Sequence, residues 1–247
     1  MNIRFDGRVV AVSGAGHGFG RAVAHSFADL GATVFACDLM PEGLAVTADG
    51  RDIDTTAFDI TDRKAAAAWI HGIGAPVDIL VNNAGGVAGQ TPHPLEEVED
   101  DDWDQIFKIN VNAAMALSRA AAPGMKANGF GRIVNISSGA GLQASLTGIQ
   151  AYCSAKHAVV GLTRQLAHEL GAFGITVNSI APGFIRTTPA TEKQWESYGP
   201  AGQTALVERI ALKRLGSAQD IANGVIFFAS DLAAFVNGQI LSVDGGR

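Results

Sequence analysis

The sequence predicts an α/β fold, a single domain built on a seven-stranded parallel sheet with helices on both faces. Two observations predict it. Short β-branched runs alternate with longer helical patterns along all 247 residues. The runs are near-continuously apolar, as in strands covered on both faces. The length suits one large domain, and 47% hydrophobic against 17% charged residues suits a large core.

Taken in order, the candidate strands are Val9–Val12, Thr33–Ala36, Thr56–Phe58, Ile79–Val81, Ile133–Ile136, Thr176–Ile180 and Ile240–Val243. Helical patterns fall at about 19–30, 62–71, 101–127, 151–172 and 218–230. Thr61-Asp62 caps the second of these, and the acidic run from Glu96 to Asp104 opens the third, where carboxylates meet the positive end of the helix dipole. That run reads as a solvated cap rather than a metal or partner site. The alternation breaks from Pro182 to about Lys213, a stretch with three prolines, three glycines, Trp195 and Tyr198. It is long for a connection and reads as a lid or binding insertion (about 182–213) on the domain spanning 1–247.

Several function classes are disfavoured. Net charge is −6 with no basic block, which argues against nucleic acid and anionic membrane as partners. Cys37 and Cys153 have no metal-ligand spacing, so no metal is expected and both read as reduced thiols of a cytoplasmic protein. Met1 to Asp6 lack the apolar core of a signal peptide. The uncharged stretch from Ile133 to Ala155 is long enough to span a membrane, yet its scattered Asn, Ser, Gln and Gly residues read as a substrate pocket.

The first strand runs into Ser13-Gly14-Ala15-Gly16-His17-Gly18-Phe19-Gly20 and then a helix. The spacing is G-x-x-x-G-x-G, through Gly14, Gly18 and Gly20. Glycines there let the backbone approach a pyrophosphate resting on the helix N-terminus. His17 and Phe19 lie within that loop; His17 reads equally well as simply exposed. The second strand ends at Asp38, placed to accept hydrogen bonds from the adenosine ribose hydroxyls. A 2′-phosphate would meet a like charge there, at several kcal/mol for an effective dielectric near ~20. NAD is therefore the expected cofactor. Asp59-Ile60 reads as an adenine-edge contact, and Asn83-Ala84-Gly85 opens the crevice at the fourth strand's end.

Tyr152 and Lys156 sit four apart on a predicted helix and share a face. A free tyrosine titrates near ~10. A cation about 4 Å away is worth roughly 4 kcal/mol at an effective dielectric of ~20, enough to bring the phenol toward use as a base. Cys153 lies between them, but no base or metal spacing supports it as a nucleophile. Trp69 and Trp103 read as core, and His157 as surface or interface.

In combination these pieces resemble the short-chain dehydrogenase/reductase family over essentially the whole chain. The resemblance rests on Gly14-x-x-x-Gly18-x-Gly20, Asp59, Asn82-Asn83-Ala84-Gly85, Asn110, Ser138, Tyr152-x-x-x-Lys156, Pro182-Gly183 with Thr187, and Val243-Asp244-Gly245-Gly246. It implies a Rossmann-like, doubly wound domain in a homotetramer. It implies Tyr152 as acid/base, Lys156 lowering its pKa and holding the nicotinamide ribose, and Ser138 orienting the substrate oxygen, with Ser137 the adjacent alternative. It implies Asn110 holding a relay water, and Pro182, Gly183, Ile185 and Thr187 beside the nicotinamide.

Pocket walls are expected from Gln143, Gln150, Arg186 and Trp195, with Leu146, Phe184, Ile185 and Tyr198 around them. The glutamines and the arginine suit a hydroxylated or carboxylated substrate, and the lid string weakly resembles dehydrogenases of sugars and 2-keto-3-deoxy sugar acids. A 3-oxoacyl-[acyl-carrier-protein] reductase resembles the chain in the same core motifs, with Arg119 and Lys126 as candidates for meeting an acidic carrier. A third reading is a non-catalytic NAD-sensing regulator, which the complete Ser138, Tyr152, Lys156 set opposes. Arg247 is a candidate to reach a neighbouring subunit's pocket, or else part of a frayed tail.

Overall fold

The computed structural model describes residues 3–247. Met1 and Asn2, part of the N-terminal reading above, lie outside the described residues. Seven parallel strands form one sheet in the order β3-β2-β1-β4-β5-β6-β7. They are β1 (Val9–Ser13), β2 (Thr33–Asp38), β3 (Ile53–Ala57), β4 (Ile79–Asn82), β5 (Gly131–Ile136), β6 (Ile175–Pro182) and β7 (Ile240–Val243). The order reverses between β1 and β4, so the crevice at their carboxyl ends is the switch point where ligands bind in such sheets.

Alternate strand residues feed two cores, as the period of a β-strand requires. On one face Val10 and Val12 pack with Phe27, Ile221 and Phe228, from α1 (Gly18–Asp29) and α9 (Ala218–Ala229). On the other, Ala11 and Leu80 pack with Trp69, Leu117 and Leu170, from α3 (Arg63–Gly72), α5 (Ala113–Asn128) and α6 (Gln150–Leu170). The side chain of Asp62 caps α3 by accepting from the amides of Lys64 and Ala65.

The elements depart from expectation where periodicity is weak. β3 starts upstream of the predicted Thr56–Phe58 and overlaps it at Thr56 and Ala57. It is a sheet edge on which only Ile53 is buried, so no apolar run marks it. A short helix, α2 (Pro41–Ala48), fills a stretch left without an element. The predicted helix 101–127 is three pieces: α4 (Asp100–Phe107), a π-helical turn (Lys108–Asn112) and α5. Trp103 is not core: it is exposed at the surface and stacks on Phe107. The lid is helical, with α7 (Pro189–Ser197) and α8 (Gly199–Arg209). Thr188 and Thr191 form a reciprocal cap at the start of α7.

Candidate active site

The glycine turn is built to receive an anion. Gly14 and Gly18 hold φ of +66° and +56°, and a Cβ on Gly14 would stand 2.8 Å from the Ala84 Cα. Only glycine fits there. His17, exposed at the N-cap of α1, makes no side-chain cap bond, and the first turn holds no acid. The first amides of α1 thus have neither an internal acceptor nor a local counter-charge, which suits a pyrophosphate. Phe19 is half-buried and packs against the core beneath the loop. Asn83 braces the turn from β4, donating to the carbonyls of Ser13 and Gly14 at 3.1 and 2.8 Å.

Asp38 closes the turn from β2. Its carboxylate accepts from the amides of Gly16 at 2.8 Å and Met40 at 3.1 Å. Leu39 and Met40 beside it are exposed and apolar. Asp59, expected at the adenine edge, instead uses Oδ1 locally, accepting from the amide and hydroxyl of Thr61 at 2.8 Å each. Ile60 is buried against the second core. Ile185, expected beside the cofactor, is a core residue at 4% exposure. Thr187 faces the start of α1, its Oγ1 3.3 Å from the point a Gly18 Cβ would occupy.

Helix α6 carries Tyr152 and Lys156 past the end of β5. Lys156 is buried, at 4% exposure, and its ammonium donates to the Ile136 carbonyl at 2.9 Å. It stands 5.7 Å from the Tyr152 ring centroid. Burial pushes its pKa down to about 8. The expected lowering of the phenol by Lys156 is not what the protein's own groups produce. Burial pushes Tyr152 up, and the group that counters this is the Ser138 hydroxyl facing it. Ser138 is held in place by the Ala140 amide, which donates to its Oγ at 3.1 Å. Ser137 is buried and donates to the Lys156 carbonyl at 3.1 Å. That contact makes it a tie to α6 and leaves Ser138 to the site.

Asn110 lies on the π-helical turn and is 2% exposed. Its Oδ1 accepts from the Gly86 amide at 3.0 Å, and its Nδ2 donates to the carbonyls of Gly86 at 2.8 Å and Ile106 at 2.9 Å. It therefore clamps the loop after β4. A Cβ on Gly85 would sit 3.4 Å from the Lys156 ammonium, so clamp and cation share one end of the crevice. A widened turn often marks such sites. The residues that sequence reasoning missed are those holding α6. Asn82 donates to Ser118 and Asn135, and Asn135 donates to Thr163, at 2.8 to 3.1 Å. Asn82 falls within the Asn82-Asn83-Ala84-Gly85 motif, but pairing across strands is invisible in one sequence.

The expected pocket walls scatter. Gln143 is exposed. Gln150 donates to the His93 carbonyl at 2.9 Å, tying α6 to the loop after β4. Arg186 is paired with Glu192 at 2.7 Å, and Trp195 stacks on Phe184. Pro182 ends β6, and its carbonyl lies 3.7 Å from where a Gly139 Cβ would be, which sets the lid's root beside Ser138. Gly183 packs against Asp244, its amide donating to the Val243 carbonyl at 3.1 Å. His157 is exposed and Cys153 half-buried, its thiol donating to the Ala140 carbonyl at 3.4 Å. Among the described residues no cluster of His, Cys, Asp and Glu could hold a metal, and no helix is long and apolar enough to cross a membrane.

A glycine-cradled crevice beside a Ser–Tyr–Lys constellation defines a dinucleotide-dependent alcohol or carbonyl oxidoreductase. Residues 14–247 match the family model described as enoyl-(acyl carrier protein) reductase. The chain is 35% identical to a 3-oxoacyl-[acyl-carrier-protein] reductase of Thermotoga maritima, covering 99% of each protein. It is 37% identical to a D-threitol dehydrogenase of Mycolicibacterium smegmatis, covering 100% of this chain and 95% of that protein. Among solved structures, a candidate NAD(P)-dependent gluconate 5-dehydrogenase of Beutenbergia cavernae, with NADP bound at low occupancy, superposes with a TM-score of 0.89 at 37% identity, covering 99% of this chain and 98% of that one. The chain belongs to the short-chain dehydrogenase/reductase family, oxidoreductases of alcohols and ketones that use a nicotinamide cofactor.

Proposed function

We propose that this chain is an NAD-dependent dehydrogenase that interconverts a secondary alcohol and a ketone on a polar sugar or sugar-acid substrate. The observation that carries the reaction is the half-buried Tyr152 phenol facing Ser138 with the buried Lys156 ammonium behind it. Gly14, Gly18, Gly20, Asp38, Asn83 and Thr187 would hold a nicotinamide dinucleotide, which would supply hydride acceptance and donation at the carbinol carbon. In oxidation the ionised Tyr152 oxygen takes the hydroxyl proton. In reduction the phenol gives that proton back to the carbonyl oxygen. Ser138 donates to the same substrate oxygen and fixes its position. Lys156 keeps a positive charge beside the phenol and would hold the nicotinamide ribose.

Asp38 and its apolar neighbours Leu39 and Met40 support NAD over NADP. The NADP in the Beutenbergia structure makes this a point to measure. The gluconate and threitol relatives support a polyhydroxy substrate. The Thermotoga relative supports the second reading, reduction of a 3-oxoacyl thioester on a carrier protein. The acid-rich start of α4, packed near Gln150, opposes docking of an acidic carrier there. A homotetramer is supported by the open β7 edge and by the exposed apolar Leu232, Phe235 and Leu241 near it.

The deciding experiment is a NAD-reduction screen over secondary alcohols, sugars, sugar acids and 3-hydroxyacyl thioesters at mildly alkaline pH. Turnover confined to the thioesters rejects the sugar reading. Cofactor binding without turnover of any of them points to the sensing protein instead.

A further inference from the structure

Both feet of the lid stand on the end of β7 and the residues just after it. At the first foot the Gly183 amide donates to the Val243 carbonyl at 3.1 Å, and a Cβ on Gly183 would stand 2.9 Å from the Asp244 Cα. At the second, the amides of Ala211 and Leu212 donate to the carbonyls of Gly246 and Gly245 at 3.2 and 3.1 Å. Among the described residues, every hydrogen bond that leaves residues 183–213 ends on the carbonyl of Val243, Gly245 or Gly246.

The turn that presents these carbonyls is closely specified. The Asp244 Oδ1 accepts from the Gly246 amide at 2.9 Å, and Gly245 holds φ at +73°. A Cβ on Gly245 would stand 2.7 Å from the Ile210 Cγ2, and Ile210, at the end of α8, is buried. Glycine is needed there on both counts. Past the first foot, the lid's root runs along the crevice. The Pro182 carbonyl lies beside Gly139, next to Ser138, and the Thr187 Oγ1 is 3.3 Å from where a Gly18 Cβ would be. The reacting groups have ties of their own. Lys156 is held by Ile136, and Ser138 by the Ala140 amide. A displaced foot therefore moves Thr187 off the start of α1 and leaves Ser138 and Lys156 in place.

We infer that residues 243–246 are a clasp that sets the lid, with Asp244 and Gly245 as positioning residues that act through Thr187 on cofactor binding. This rests on the proposed reading that puts a nicotinamide dinucleotide at Gly18.

The test uses the full chain. Wild type, Gly245→Ala, Asp244→Ala and Asp244→Asn are compared by limited trypsin cleavage and by fluorescence titration with NAD and, in parallel, NADP. Cleavage after Lys193 in α7 and Arg209 in α8 reports on the lid, and after Arg164 in α6 on the body. In Gly245→Ala, lid cleavage should speed up at least about fivefold relative to Arg164, since a lid freed at its feet opens locally. The Kd for the dinucleotide should rise about fivefold, as for one lost hydrogen bond. Asp244→Ala should move both readouts the same way, and it carries the test if Gly245→Ala does not fold. Asp244→Asn keeps an acceptor for the Gly246 amide and should restore both. Cleavage that rises equally after Arg164 marks a general loss of stability and overturns the inference. So does an unchanged Kd, which leaves the proposed reaction standing. A wild type that binds neither NAD nor NADP overturns the proposed reading and the inference with it.

Discussion

The ammonium of Lys156 donates to the carbonyl of Ile136 at 2.9 Å, joining helix α6 to the last residue of β5. The contact fixes the proposed acid/base relative to the sheet. Ser137 repeats the tie one residue on, through the Lys156 carbonyl. Tyr152 and Ser138 therefore meet on a frame set by backbone, while their own hydroxyl groups stay available for a substrate.

Replacing Tyr152 by Phe tests the chemistry most directly. The ring is kept and only the proton carrier is lost. Proton transfer by a placed side chain contributes about 10²–10⁴-fold, so kcat should fall by at least that order. The Kd for NAD, read by fluorescence titration, should stay within about threefold. Near-native kcat in this variant would rule out Tyr152 as the acid/base.

Ser138→Ala tests the electrostatics. Burial pushes the phenol up, and the Ser138 hydroxyl is the protein group that counters it. Oxidation needs the ionised phenol, so its kcat/KM should fall as pH drops through the Tyr152 pKa. Without Ser138 the limb should move to higher pH, besides the loss of substrate orientation. A limb that stays in place in Ser138→Ala would separate the measured pKa from this pair.

How much of this was legible in the sequence depends on the range of each interaction. The glycine turn and the Tyr152–Lys156 spacing are local, and both landed at the carboxyl end of the sheet. Strands β1, β4 and β6 were legible because both of their faces are buried. Edge strand β3 was legible only at its carboxyl end, because its exposed Asp and Thr residues carry no apolar pattern. The partners of Arg186 and Gln150 were hidden for another reason. A free charge and a paired one look alike in sequence until helix α7 brings Glu192 back on Arg186.

Asp38→Asn tests cofactor choice. The carboxylate holds the Gly16 and Met40 amides at 2.8 and 3.1 Å. An asparagine oxygen retains an acceptor and drops the charge. A 2′-phosphate facing Asp38 meets a repulsion of several kcal/mol at an effective dielectric near ~20, reduced by salt. Wild type should prefer NAD over NADP by about 100-fold or more in kcat/KM, and Asp38→Asn should bring the ratio to about tenfold or less. Equal use of both cofactors by wild type would defeat this reading of Asp38.

Lys156→Met should trade function for stability. The folded-state pKa is about 8, against 10.5 for the free side chain. Below pH 8 both folded and unfolded states carry the proton, and the folded state bears the full cost of a buried ammonium. Between pH 8 and 10.5 the folded state sheds its proton first, so the unfolded state binds more protons and stability climbs with pH. The cost at neutral pH is about 3 kcal/mol at most, offset by about 1 kcal/mol for the bond to Ile136. Methionine removes both. Tm at pH 7 should rise by roughly 4–8 °C, at about 2–4 °C per kcal/mol for a domain of this size, and the gain should shrink by pH 10. Activity should drop at least about 100-fold, since the charge beside Tyr152 is gone. A lower Tm at pH 7, measured by calorimetry, would mean that the Ile136 contact outweighs the burial of the charge.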